Sequence, residues 1–180
     1  LSTYEGLMPG MSSGVTLTDN QRPWIAELIA KGYDKSLNEH KVFDPVPNYP
    51  GAEKRGVTFP PPVYSDEDSS TAFLTDELLK WLSVREDEKW FVHLSYLRPH
   101  PPWIAPEPYN SMYDPADVSK PVRMKSLEQE GEQHPLLKRL LAEIPGNICF
   151  PETYEGLAED TSEKNILQPS TSYRGLNTKI

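Results

Sequence analysis

Apolar residues recur at positions 24, 25, 28 and 29 of the stretch TLTDNQRPWIAELIAKGYD, so Trp24, Ile25, Leu28 and Ile29 share one face of a helix. Asp19 or Asn20 can cap its start, and Thr18 and Gln21 have the spacing of a capping box. Pro23 is tolerated in the first turn, where its missing N–H is not needed. Lys31 suits the negative end of the helix dipole, and Gly32 suits a left-handed stop. A second amphipathic pattern runs through SDEDSSTAFLTDELLKWLSVRED. Leu74, Leu78 and Trp81 or Leu82 form its buried stripe, with Phe73 beside it. Asp68 or Ser69 caps this helix, and Asp66, Glu67 and Asp68 place negative charge at its positive end. It is expected to stop near Arg85.

The run WFVHLSYL at 90–97 has a different pattern, with only His93 and Ser95 polar. Near-continuous apolarity over such a length predicts a strand covered on both faces, as in a parallel sheet between helix layers. With the helix before it, it makes half of a βαβ unit. A covered strand needs neighbours on both edges for its backbone groups. The other candidates, at 14–18, 40–43 and 147–150, are poor strands. The expected fold is therefore α/β and loop-rich, with flanking helices about a central strand at 90–97 and a sheet left incomplete within this chain. From Tyr33 to Tyr64, Pro45, Pro47, Pro50 and the run Pro60, Pro61, Pro62 exclude regular helix and predict loop.

Composition narrows the function classes. A chain of 180 residues with 37% hydrophobic content and 19 prolines fits one loop-rich unit over 1–180, without internal repeats. The net charge of −9 argues against nucleic acid and anionic membranes as partners, since both require a basic face. No apolar run reaches the length of a membrane span. Cys149 stands alone, which excludes a disulfide framework and a cysteine-rich zinc site. The first residues carry neither a basic start nor an apolar signal core, and Leu1 is not an initiator methionine, so the ends need not be natural ones.

Candidate chemistry gathers in RPHPPW at 98–103, because ligands collect beyond the carboxyl ends of parallel strands. His100 lies between two prolines, which reduces the backbone entropy lost when it contacts a substrate. Near pH 7 an imidazolium can bind an oxyanion or protonate a leaving group. Arg98 adds a permanent cation suited to sulfate or phosphate oxygens. The same residues are compatible with a purely structural loop, or with a PxxP ligand for an aromatic groove. His93, inside the strand, reads as a core histidine. His134, before a proline and a short apolar helix, reads as a local cap or surface group, and His40 sits in a polar loop. None of these histidines has metal-pair spacing with His100.

The run WFVHLSYLRPHPPWIAPEPYNSMYDPADV resembles sulfatases and phosphonate monoester hydrolases of the alkaline phosphatase superfamily. The likeness includes Ala105, Pro106, Pro108, Tyr109, Met112 and Tyr113 after the histidine loop. EQHPLLKRLL and TSYRGLNTKI resemble further helices of the family, the second standing before a metal-binding strand. The best match covers about 60–140. The resemblance implies part of an alkaline-phosphatase-like sandwich, with His100 contacting the anionic ester or assisting its leaving oxygen and Arg98 in the same substrate-binding motif. It also implies a divalent metal, Ca²⁺ or Mn²⁺, and a formylglycine or serine nucleophile in the full enzyme.

The family's Cys-x-Pro-x-Arg nucleophile motif and its Asp-His-Gly or Asp-Asn metal ligands are not found in this sequence. CFPET at 149–153 has Thr153 in place of the arginine and follows His100 instead of preceding it. The expectation is a middle segment of a metal-dependent hydrolase of sulfate, phosphate or phosphonate esters, inert alone and contributing no metal ligands. The alternative is a non-catalytic anion- or protein-binding remnant of that family.

Overall fold

A computed structural model describes residues 9–17, 21–85, 89–122, 124–143 and 163–179. Six α-helices order the described chain: α1 (Arg22–Ala30), α2 (Ala52–Arg55), α3 (Ser70–Leu82), α4 (Leu127–Glu132), α5 (Pro135–Glu143) and α6 (Glu163–Lys179). A single 3-10 turn, Pro115–Asp117, precedes α4. Among the described residues there is no strand, only one antiparallel bridge between Pro45 and Pro62. The long segment from Tyr33 to Tyr64 is loop, as its prolines require, apart from the four residues of α2.

α1 buries Trp24, Ile25 and Leu28, three of the four residues of the expected stripe. Its start differs from the capping-box expectation. Gln21 is the N-cap, in the left-handed region at φ 51°, with no side-chain capping bond, while 18–20 lie outside the described residues. Gly32 takes φ 102°, the left-handed conformation that halts the helix. The core forms where α1 meets Val42, Tyr64 and Phe73 of α3. Its centre is aromatic. Trp24 meets Tyr64 edge-on at 5.0 Å and Phe43 at 5.7 Å, and Phe43 meets Tyr64 at 6.4 Å.

α3 starts as the sequence implies, with Ser69 Oγ accepting from Ala72 N at 3.2 Å, and it ends at Leu82. Phe73 is its buried residue, while Leu74, Leu78, Trp81 and Leu82 are only half-buried. Asp68 stands just outside that helix as a hub. Its carboxylate accepts from Lys31 Nζ at 2.6 Å, Tyr33 Oη at 2.8 Å and Ser65 Oγ at 3.2 Å. Its backbone oxygen accepts from Trp24 Nε1 at 2.7 Å. One residue thus joins the end of α1, the following loop and the start of α3.

α6 fits into a slot lined by 55–59 and 109–113, and its buried face sets polar residues beside Leu167 and Leu176. Gln168, Thr171 and Ser172 are fully buried. Arg55 Nε donates to Gln168 Oε1 at 2.8 Å, and Ser172 Oγ donates to Thr58 O at 2.9 Å. Lys179 pairs with Asp66 at the helix end. Gly175 is the closest point of this packing. A Cβ there would lie 2.3 Å from the carbonyl oxygen of Tyr109, which is backbone and cannot turn aside.

Two outcomes follow from these contacts. Gly175→Ala is expected to cost about 1–3 kcal/mol in urea unfolding. Gly14→Ala, where a Cβ meets nothing within 4 Å, is the matched control and should change little. Asp68→Asn is expected to cost about 1–2 kcal/mol at pH 7. The Lys31 hydrogen bond holds the Asp68 carboxyl below its ordinary value, with Tyr33 and Ser65 assisting and partial burial opposing. Its contribution is therefore present above the unfolded carboxyl value, near ~4, and is lost as pH falls through the lower folded one. The gap between wild type and Asp68→Asn should close as pH drops below ~4, and a gap constant down to pH 2 would refute this account.

Candidate functional site

Residues 90–97 are extended, but their two faces differ. Val92, Leu94 and Tyr96 are half-buried, whereas Phe91, His93, Ser95 and Leu97 are exposed, Phe91 at 81% and Leu97 at 67%. Tyr96 Oη lies 2.6 Å from Thr75 Oγ1, and Trp90 meets Trp81 edge-on at 6.3 Å, so α3 covers one side. No backbone hydrogen bond joins 90–96 to another described residue. The expected strand covered on both faces is corrected to a single extended segment covered on one. Apolarity recorded a need for two layers, and the described residues supply only one. His93 is corrected for the same reason, since it is exposed and not a core histidine.

The segment leads into the proline loop, where the shortage of amide hydrogens sets the geometry. Pro99, Pro101 and Pro102 have carbonyls but no N–H. The Arg98–Pro99 and Pro101–Pro102 peptide bonds are cis. His100 N donates to Leu97 O at 2.9 Å, closing the turn. Trp103 Nε1 donates to Pro99 O at 3.0 Å. Arg98 Nη1 donates to both His100 O at 2.8 Å and Pro102 O at 2.6 Å. The His100 ring lies with Nδ1 2.9 Å from Pro101 O. A carbonyl can only accept, so Nδ1 carries the hydrogen and Nε2 is the ring nitrogen left for other chemistry. Every carbonyl from 99 to 102 is thus occupied within the loop. The chain then turns inward through Ile104, Ala105 and Pro106, all buried.

Arg98 and His100 are placed oppositely. The Arg98 guanidinium lies over the Phe43 ring, 4.2 Å from its centroid, and beside Tyr64. Burial pulls this cation below its ordinary value, and Tyr64 opposes that shift. Burial likewise pushes the Tyr64 phenol up, against the pull of Arg98. His100 is exposed and borders an open cleft of about 610 Å³. The cleft is lined by 11–17 across from Phe91, His93 and 94–98, with Ser70 and Thr71 at the start of α3. His93 and His100 share this cleft, with no third metal-ligating partner among the described residues that line it. Among the described residues no group of three or more His, Cys, Asp or Glu could hold a metal ion. Cys149 and the CFPET stretch lie outside the described residues.

His134 is the local cap its sequence position implied, with Nδ1 accepting from Leu136 N at 3.1 Å at the start of α5. Sequence reasoning missed Trp103, Phe43 and Tyr64 as parts of the site. Trp103 left a usable signal, an indole donor placed four residues after a proline carbonyl in a loop short of donors.

Comparison with known proteins places this geometry. No family model matches the chain. It is 30% identical over 176 residues to a multifunctional alkaline phosphatase superfamily protein, PehA of Trinickia caryophylli, across 97% of this chain and 33% of that protein. The crystal structure of the phosphonate monoester hydrolase of Agrobacterium radiobacter superposes on 99% of this chain with a TM-score of 0.84 at 34% identity. The chain's relatives are alkaline phosphatase superfamily proteins. The phosphonate monoester hydrolase SpPMH of Silicibacter pomeroyi superposes equally broadly, with a TM-score of 0.83 at 31% identity. The chain spans about a third of the length of each of these superfamily relatives.

The unpaired segment yields a direct measurement. Amide hydrogens of 91–96 in this chain are expected to exchange at rates close to those of an open loop, while those of Phe73 and Leu74 in α3 are protected. Protection of 91–96 equal to that of α3 would mean that a pairing partner exists for this segment.

Proposed function

We propose that this chain is the histidine-bearing segment of a superfamily hydrolase acting on a small anionic ester, with a phosphonate or phosphate monoester favoured over a sulfate ester. Two structural relatives are phosphonate monoester hydrolases, which supplies that preference. In such an enzyme 90–97 is a central strand of an alkaline-phosphatase-like sandwich, and its free edges and exposed face are covered by the rest of the protein. The single observation that carries the reading is the orientation of His100. Its Nδ1–H is tied to Pro101 O, and the residue opens onto the cleft beyond the end of an extended segment.

The tether assigns the working atom. A neutral His100 presents the Nε2 lone pair, able to accept a proton or a hydrogen bond. A protonated His100 presents Nε2–H to an anionic oxygen of the ester or to the departing alkoxide. Because Nδ1 is already engaged, the ring need not reorient between the two states, and the proton exchanged is always that on Nε2.

The family resemblance implies a divalent ion, Ca²⁺ or Mn²⁺, and a formylglycine or serine nucleophile. The described residues offer no cluster suited to such an ion, so no chemical step of this chain is routed through it. The chain alone is accordingly expected to hydrolyse neither phosphonate nor phosphate esters, since its sequence lacks the nucleophile motif.

In the natural protein that carries this segment, His100→Ala and His100→Gln are expected to lower kcat/KM for an aryl phosphonate monoester by about 10²–10⁴-fold. Thermal stability should fall only modestly, by about 1 kcal/mol for the lost hydrogen bond to Pro101 O, because the ring is otherwise exposed. Turnover at the wild-type rate in both variants would remove His100 from the reaction. Absence of any esterase activity in the natural protein, together with retained binding of inorganic phosphate, would favour a non-catalytic anion-binding role.

A further inference from the structure

We infer that Arg98 is a positioning residue for His100, locking the loop that aims the imidazole, and makes no direct contact with the ester. This deepens the reading above and rests on His100 being the group that meets the substrate. The geometry is specific. One nitrogen, Nη1, donates to the carbonyls of residues 100 and 102, which flank the carbonyl of Pro101 that holds the ring. Fixing both outer carbonyls fixes the peptide planes between them, and so the direction of the Pro101 carbonyl on which the His100 tautomer depends. A methionine, which keeps an unbranched stem, supplies no donor to either carbonyl.

The other end of the lock is the aromatic core. Phe43, on which the guanidinium lies, packs at 5.7 Å from Trp24 and 6.4 Å from Tyr64. The histidine loop is therefore referenced to α1 and its core as well as to the extended segment that precedes it. The prolines contribute no amide hydrogens. Arg98 supplies the donor for His100 O and shares Pro102 O with Ile104 N at 3.0 Å, so its Nη1 is engaged with the loop even though the residue also borders the cleft.

The test combines a ring signature with kinetics in the natural protein. With 15N-labelled histidine, His100 (assigned by its loss in His100→Asn) is expected to show a fixed Nδ1–H tautomer in wild type and a mixture of tautomers in Arg98→Ala. With a phosphonate monoester, Arg98→Ala is expected to lower kcat at least 10-fold while KM changes less than 3-fold. Arg98→Ala/His100→Ala should be no slower than His100→Ala alone, since one residue acts through the other. Arg98→Met should keep an apolar contact with Phe43 and still show mixed tautomers, and it carries the test if the alanine variant does not fold.

An unchanged Nδ1–H signature in the folded variant overturns the inference. So does a KM raised 10-fold or more with kcat retained, or a double variant at least 10-fold slower than His100→Ala, since each means that Arg98 meets the ester itself. If His100→Ala retains full activity but the tautomer still depends on Arg98, the positioning stands and the catalytic reading of His100 fails. The two ideas are thereby separable.

Discussion

Prolines leave a loop with more carbonyl oxygens than amide hydrogens, and in this protein Arg98 donates to the carbonyls of His100 and Pro102, the latter shared with Ile104 N. A buried or half-buried carbonyl left bare is costly, so a loop such as 98–103 is ordered only if side chains replace the missing backbone donors. Arg98, Trp103 and the imidazole of His100 do so. The rigidity of the site comes less from proline than from these donors. The histidine is part of the bonding that orders its own loop, so its orientation and the loop's structure are one property.

The second organising feature is the three-ring contact of Trp24, Phe43 and Tyr64, with Asp68 beside it. It serves two purposes at once. On one side it is the hydrophobic centre that α1 and α3 share, and on the other it offers the Phe43 face to Arg98. A core with so few aliphatic layers relies on directional contacts, which suits a sequence with 37% hydrophobic residues and 19 prolines. The polar face of α6 follows the same logic, with Gln168 and Ser172 matched to Arg55 and Thr58.

How far the sequence could be read depended on how local each cause was. The buried face of α1, the Ser69 cap, the Gly32 stop and the His134 cap were all legible, because each is decided within one or two turns of chain. The family resemblance was legible too, because the strand-like run, RPHPP and the following APEPY segment stand in order. The environment of 90–97 was not, since an apolar run states that cover is needed without saying where the cover lies. The same limit misplaced His93. Sequence shows Arg98 as a cation near a site but not the distant Phe43 on which its guanidinium lies, nor Tyr64 beside it. Gln21 at a left-handed N-cap, in place of a capping box, reflects the tertiary demand to bury Trp24 and Ile25 overriding local preference.

The position of α6 has a consequence for the order of events during synthesis. This helix, the last described element of the chain, seats its glycine against the backbone of Tyr109 and its polar face against Arg55 and Thr58. The slot is built from residues made much earlier on the ribosome, yet it stays open until residues 168–179 emerge. During that interval Arg55 Nε and the carbonyl of Thr58 lack their α6 partners, while the Tyr113 carbonyl and the Phe59 ring are already available to Arg55. Folding here is therefore closed by its most distant contacts, which makes it slow relative to the α1–α3 corner. The corner that fixes Arg98 can assemble first, so the histidine loop has a place to dock before the chain behind it is complete.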